Sequence, residues 1–396
     1  VEILIIYNIR PGDTIYGVSK KFGVSQSVVL EINDITDERN LTIGQSIIIP
    51  NGKATKQTII KDYILVPTNA NNKKSIDVNG YVFPEIDMEL LNKTLPNLSF
   101  LSIFSYQVKP DGSLVEIDDQ PLIDAAMAKK VAPIMVISNI LEGGSFDSNL
   151  VQTILNNSEI QDKLISNILT TLKSKNYYGV DVDFEYIFPK DKNAYNNFLK
   201  KLSDTLKPLN YSISTALAPK TSATQRGLLY EAHDYKFIGN IVDRIILMTY
   251  EWGYTFGPAQ AVSPIDKVEE VLKYAVNDID SQKILMGMPN YGYDWTLPFV
   301  EGSRAMSLSN SEAISLAQKV GSIIEFDQTT QTPFFTYYDT NNKRHIVWFD
   351  DVRSINSKLK LVEKYNLGGV SYWTINKYYA QNWIVLNYMY NINKYI

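Results

Sequence analysis

Tyr178-Gly179-Val180-Asp181-Val182-Asp183-Phe184-Glu185-Tyr186 is the stretch on which the reading of this chain turns. Side chains alternate along a β-strand, so Asp181, Asp183 and Glu185 share one face, and Val180, Val182 and Phe184 the other. If the strand belongs to a parallel barrel, the apolar face packs on helices and the acidic face points inward. Three inward carboxylates are costly, because each loses hydration and repels its neighbours unless some hold protons or bind a cation. Repulsion from Asp183 and partial burial should raise the pKa of Glu185, which sits at the strand's C-terminal end, where barrel chemistry occurs. A protonated Glu185 is a candidate general acid. The competing readings are a solvated strand face and a divalent metal held by the three acids. Neither histidine and no further acidic run lies nearby to complete such a metal site.

Outward from this strand, short β-branched runs at 76–82, 101–105, 133–138, 179–184, 212–217, 244–249, 284–289 and 369–373 alternate with helical patterns. Residues 120–130 open with a proline in the first turn, and 193–206 and 268–276 repeat apolar residues at helical spacing. Eight strands with intervening helices predict a (β/α)8 TIM barrel over 76–396. Residues 295–350 break the rhythm with a helical stretch at 311–320 and a strand-like piece at 334–338, which predicts a small α+β insertion after strand seven. Residues 1–50 form a separate βααβ unit, in which Pro11-Gly12 marks a turn and Asp13 or Thr14 caps the helix that follows. Residues 51–75 are rich in Asn, Lys and Thr and read as a linker. Within them, residues 59–67 are apolar and end in proline but lack the turn signal of the first unit.

Composition narrows the chemistry. The 396 residues are 45% hydrophobic and 20% charged, enough apolar material for a large core. A net charge of −5 without a basic tract argues against nucleic acid or an anionic membrane as partner. Cysteine is absent, which excludes thiol nucleophiles and thiolate metal sites, and His233 and His345 are the only histidines. The chemistry therefore falls to carboxylates and tyrosines, with no cofactor and no metal expected. No apolar run is long enough to span a bilayer. The opening Val1-Glu2-Ile3-Leu4-Ile5-Ile6 is too short, and lacks the basic flank, for a signal peptide. A monomer made in the cytoplasm is the expectation.

Two resemblances sharpen this reading. Tyr7-Asn8-Ile9-Arg10-Pro11-Gly12-Asp13-Thr14, Asn33, Leu41-Thr42-Ile43-Gly44-Gln45 and Ile49-Pro50 resemble a LysM module. The resemblance implies binding of N-acetylglucosamine-containing glycan, peptidoglycan or chitin, in a groove bordered by Gly12, Asp13, Thr14, Asn33 and Ile35. A single module should bind weakly, since the avidity of a second linked site is missing.

The acidic strand resembles the strand-four signature DGxDxDxE of glycoside hydrolase family 18, with Tyr178 in place of the first Asp. Met248-Thr249-Tyr250 resembles its strand-six motif, with Glu251 where chitinases carry Asp or Asn. Gly287-Met288-Pro289-Asn290-Tyr291-Gly292 and Gly368-Gly369-Val370-Ser371-Tyr372-Trp373 resemble strands seven and eight. With the LysM-like unit, the whole is similar to the spore cortex-lytic N-acetylglucosaminidases of spore-forming bacteria.

That resemblance implies a retaining, substrate-assisted hydrolysis of spore-cortex peptidoglycan or its fragments, by a protein made in the mother cell and built into the spore. Glu185 would be the acid, Asp183 the partner of the substrate's acetamido N–H, Asp181 the tuner of Asp183, and Tyr250 a donor to the acetamido carbonyl. Trp373 would floor the subsite at the cut bond. Tyr81, Asn139, Met248, Glu251, Trp252 and Tyr291 are further candidates for substrate contact, and Trp295 is weighed equally between cleft and packing. Trp348, Trp383 and His233 read as structural. The alternatives are a chitinase and a non-catalytic, lectin-like glycan binder.

Overall fold

The computed structural model describes residues 3–39, 41–50, 63–67, 73–141 and 143–396. The first unit contains β1 (Ile3–Asn8), α1 (Ile15–Phe22), α2 (Gln26–Ile32) and β2 (Ser46–Ile49). Thr14 is the N-cap of α1, its hydroxyl accepting from Gly17 N at 3.0 Å, and Gly23 ends the helix in the left-handed region. The βααβ expectation needs one correction. Residues 63–67, read as linker, form β3 (Tyr63–Pro67), which pairs antiparallel with β1 and makes a three-stranded sheet in the order β2-β1-β3. Residues 51–62 and 68–72 of that linker lie outside the described residues.

Both faces of this sheet are covered, which explains why β1 and β2 read as nearly unbroken apolar runs. Ile5, Tyr7, Ile47 and Ile49 join Ile15, Val18, Phe22 and Val29 in the unit's own core. Leu4, Ile6, Ile48 and Val66 point the other way, into the large core of the second unit.

That second unit is a closed parallel barrel of β4 (Ser75–Val82), β5 (Phe100–Gln107), β6 (Ala132–Ser138), β7 (Gly179–Asp183), β8 (Ser212–Leu217), β9 (Arg244–Leu247), β10 (Ile284–Pro289) and β16 (Gly369–Trp373). Pairing of β16 with β4 shuts the ring. Around it run α3 (Met88–Thr94), α4 (Gln120–Ala128), α5 (Ser148–Leu155), α6 (Ser158–Lys175), α7 (Lys192–Leu206), α8 (Tyr235–Ile241), α9 (Ile265–Asp278), α11 (Val352–Lys364) and α12 (Ala380–Met389). After α12, the short β17 (Asn391–Ile392) pairs with the start of β4. The outward residues Val180, Val182 and Phe184 of the acidic strand lie in the core between strands and helices, as their apolarity requires.

Between β10 and β16 sits the insertion, with β11 (Tyr291–Leu297), β12 (Met306–Ser309), α10 (Asn310–Lys319), β13 (Glu325–Asp327), β14 (Thr332–Tyr338) and β15 (Arg344–Trp348). Its five strands run in the order β12-β11-β15-β14-β13. It starts at Tyr291, four residues before the expected boundary, because a single residue, Asn290, separates the end of barrel strand β10 from the start of β11.

The two units meet through specific polar contacts as well as shared core. Gln381 Nε2 donates to Asn33 Oδ1 at 2.7 Å and to the Ser46 carbonyl at 3.1 Å. Arg353 Nη2 donates to the Gly44 carbonyl at 3.2 Å, and Ile324 N to the Ile43 carbonyl at 2.9 Å. Gly44 has φ +82°, and a Cβ there would lie 1.9 Å from the Ile324 carbonyl oxygen. Gly44→Ala should therefore cost about 1–3 kcal/mol from backbone strain alone. A fall in Tm is expected; an unchanged Tm would mean that residue 44 neither holds the left-handed conformation nor presses on Ile324.

Candidate active site

The inward face of β7 and the residues just beyond it form the floor of a cleft of about 620 Å³ at the C-terminal end of the barrel. Asp181 is wholly buried, its carboxylate accepting from the Tyr81 hydroxyl at 2.7 Å and from Ser214 Oγ at 2.6 Å. Burial raises its pKa, and those two hydrogen bonds oppose the rise. Asp183 is 4% exposed and lines the cleft, and its Oδ1 has no hydrogen-bond partner among the described residues. Burial, then the charges of Glu185 and Asp181, push its pKa well above the carboxylate range. Glu185 follows on the same face and opens to the cleft. Burial and the charge of Glu251 push it up to about 8, so it holds a proton at neutral pH and can give it away.

Tyr250 lines the cleft three residues beyond β9. Burial and the surrounding carboxylates raise its pKa far above the ordinary phenol value, so it remains a hydrogen-bond donor. Gly287 on β10 makes room for it, since a Cβ there would lie 2.7 Å from the Tyr250 ring. Glu251 adopts φ +67° and turns its carboxylate to the Tyr293 hydroxyl at 3.0 Å and to the Tyr291 hydroxyl. Its own pKa is raised, burial outweighing those two bonds. Because the charge on Glu251 helps hold the proton on Glu185, Glu251→Gln should move the alkaline limb of the kcat/KM profile to lower pH. An unmoved limb would show that the two carboxylates do not communicate.

The expected contacts divide into two groups. Tyr81, Met248, Glu251, Trp252 and Trp373 line the cleft with Asp183, Glu185 and Tyr250. Asn139 does not, and its reading as a substrate contact is corrected. It is 0% exposed, and its side chain accepts from Glu185 N at 3.0 Å and donates to the Glu185 carbonyl at 2.9 Å. It positions the acid from behind. Tyr291 is likewise spent on holding Glu251, away from the cleft lining. Trp295 is buried, and its Nε1 donates to the Gly257 carbonyl at 2.9 Å, so packing takes it. His233 is also structural. Ala218 N donates to its Nδ1 at 2.9 Å, its Nε2 faces the Phe184 carbonyl, and burial lowers its pKa to about 4, which keeps it neutral.

Sequence reasoning missed most of the cleft's aromatic lining. At one end, Trp373 meets Phe83, Tyr81 and Phe104 edge-on at ring separations of 5.7, 5.3 and 4.9 Å. Phe146, Tyr186, Tyr230 and Tyr254, all beyond the strands, also line the cleft. Their signal was positional, since Phe83 and Tyr186 lie within three residues of a barrel strand's C-terminal end.

An acid poised to donate a proton, beside a buried carboxylate with a vacant acceptor and an aromatic floor, suits the cleavage of a sugar linkage. Residues 72–377 match glycosyl hydrolases family 18, and residues 7–50 match the LysM domain. The chain belongs to glycosyl hydrolases family 18. This glycoside hydrolase is 36% identical to the cortical fragment-lytic enzyme of Bacillus subtilis, over 98% of this chain and 99% of the relative. It is 39% identical to that of Bacillus cereus at the same coverage. The crystal structure of the Bacillus megaterium spore cortex-lytic enzyme SleL superposes with a TM-score of 0.92, at 36% identity and 99% coverage of both chains.

In the LysM unit, several expected groove residues are already committed within the fold. Asp13 Oδ2 accepts from the Tyr7 hydroxyl and from Arg10 N, both at 2.8 Å, which shapes the turn at Gly12. Asn33 is saturated, bonding Val29, Ile48 and Gln381. Ile35 is partly exposed.

Proposed function

We propose that this family 18 hydrolase is a retaining N-acetylglucosaminidase acting on spore-cortex peptidoglycan or its fragments. The observation that carries the mechanism is the buried, unpaired Oδ1 of Asp183 beside a protonated Glu185. Glu185 gives its proton to the glycosidic oxygen while the substrate's acetamido carbonyl oxygen bonds to the anomeric carbon. The leaving sugar departs as an alcohol and an oxazolinium ion remains. Asp183 accepts the acetamido N–H and offsets the positive charge that develops there, and Tyr250 donates to the acetamido oxygen. Asp181, held by Tyr81 and Ser214, tunes the charge of Asp183. Glu185, now ionised, takes a proton from water as that water opens the ring from the original face. Trp373 supports the sugar whose bond is cut, Met248 and Trp252 contribute walls, and the Gly12–Asp13–Thr14 turn with Ile35 contacts glycan at the LysM unit.

Cortex as substrate is supported by the two cortical fragment-lytic relatives, which match end to end. They also support association with the spore, and synthesis in the mother cell belongs to the same reading. No helix among the described residues is long and apolar enough to cross a membrane, and the reading is of a monomer. Digestion of purified cortex fragments and of chitin side by side, with mass spectrometry of new reducing ends, tests the proposal. N-acetylglucosamine ends from cortex are expected, with retained configuration by proton NMR; cleavage of chitin alone, or inversion, would overturn it.

A further inference from the structure

Glu185 stands beyond the strand ladder that leads to it. β7 pairs with β6 as far as Asp183 opposite Ser138, and with β8 only as far as Val182 opposite Thr215, while β8 itself runs on to Leu217 beside β9. Phe184, Glu185 and Tyr186 therefore continue without strand pairing on either side, and Tyr186 turns into the left-handed region at φ +55°. A general acid has to be held to within a fraction of an ångström of its target, so something other than the ladder must fix this segment.

Side chains take over where the ladder stops. On the β6 side, Asn139 bonds both the N–H and the carbonyl of Glu185. On the β8 side the buried His233, from the turn before α8, lies between the two chains with one ring nitrogen toward each. Ala218 N, just past β8, donates to Nδ1 at 2.9 Å, and the carbonyl of Phe184, the residue before the acid, lies 3.3 Å from Nε2. A backbone N–H can only donate and a carbonyl can only accept, so Nδ1 carries the lone pair and Nε2 the proton. An imidazolium would set its Nδ1–H against the Ala218 N–H. The Lys220 ammonium, bonded to the His233 carbonyl at 2.9 Å, also opposes a charge on the ring.

We infer that His233 is a positioning residue for the general acid, its neutral ring replacing the ladder bond that β7 and β8 no longer make and setting the placement of Glu185 relative to Asp183. The inference rests on the reading of Glu185 as the acid and adds a group that touches no substrate, since His233 is absent from the cleft lining. Proton transfer is stricter about that placement than glycan binding is, so the loss of His233 falls on kcat rather than KM.

The test measures single-turnover rates on purified cortex fragments with the full chain. His233→Leu removes both bonds and should lower kcat about 10–100-fold with KM within about threefold of wild type. His233→Gln offers an acceptor and a donor spaced like the two ring nitrogens, and should recover kcat to within about threefold. Because His233 acts through Glu185, His233→Leu should cost nothing further in the Glu185→Gln background, whereas a merely structural loss would multiply. With only two histidines in the chain, nitrogen-15 labelling of histidine resolves the ring directly by NMR, and a proton on Nε2 alone is expected at neutral pH. A folded His233→Leu with wild-type kcat, the same loss in both backgrounds, or a proton on Nδ1 would overturn the inference. Should His233→Leu not fold, the tautomer and the recovery in a folded His233→Gln decide in its place. If Glu185→Gln is itself fully active, the acid reading falls and this inference with it; if Glu185→Gln is inactive and His233→Leu is not impaired, only this inference falls.

Discussion

Glu185→Gln should leave a folded protein that still binds glycan but hydrolyses it about 10²–10⁴ times more slowly, the usual contribution of a positioned general acid. The amide keeps the shape and the backbone hydrogen bonds to Asn139, so the loss reports the proton alone. Single-turnover rates on cortex fragments, with glycan binding measured in parallel, are the check. Full activity would remove Glu185 from the mechanism. The same substitution has a second consequence. The pKa of Glu185 is raised in the folded state, so its favourable contribution is fully present below the ordinary glutamate value and is lost as pH rises toward 8. Glutamine cannot ionise, so the variant should gain Tm relative to the wild type on going from pH 5 to pH 9.

The barrel was legible because buried parallel strands declare themselves as short β-branched runs, and all eight lie within three residues of their expected ends. The acidic strand was legible for the opposite reason, since three carboxylates alternating with apolar residues have no structural use in a barrel. The strand β3 was not legible. Tyr63 to Pro67 sits in polar surroundings, closes on a proline that only an edge position tolerates, and takes its pairing from β1, far away in sequence. Asn139 shows a second limit. Its place just after β6 puts it at the functional end of the barrel, but the position does not reveal that its side chain turns back onto the Glu185 backbone. The aromatic ends of the cleft were hidden by abundance, because with 26 tyrosines and 15 phenylalanines no single ring stands out.

Asp183→Asn should lower kcat by about 10²–10³, the range for removing one group that stabilises developing charge, with a smaller change in KM. The fold buries Oδ1 of Asp183 with no hydrogen-bond partner among the described residues. In the resting protein that arrangement is unfavourable, and burial with two neighbouring acids drives the carboxyl toward its protonated form. A substrate acetamido N–H would supply the missing donor, and the positive charge of the oxazolinium would favour the ionised form as the bond breaks. The interaction therefore strengthens in the transition state, which is why kcat carries the loss. A substrate with its acetamido group removed separates this role from a merely structural one. Wild type should lose most of its activity on the deacetylated glycan, and Asp183→Asn should lose little more, because the two changes break the same interaction. If the two losses multiply instead, Asp183 and the acetamido group act independently, and the substrate-assisted assignment of this carboxylate fails.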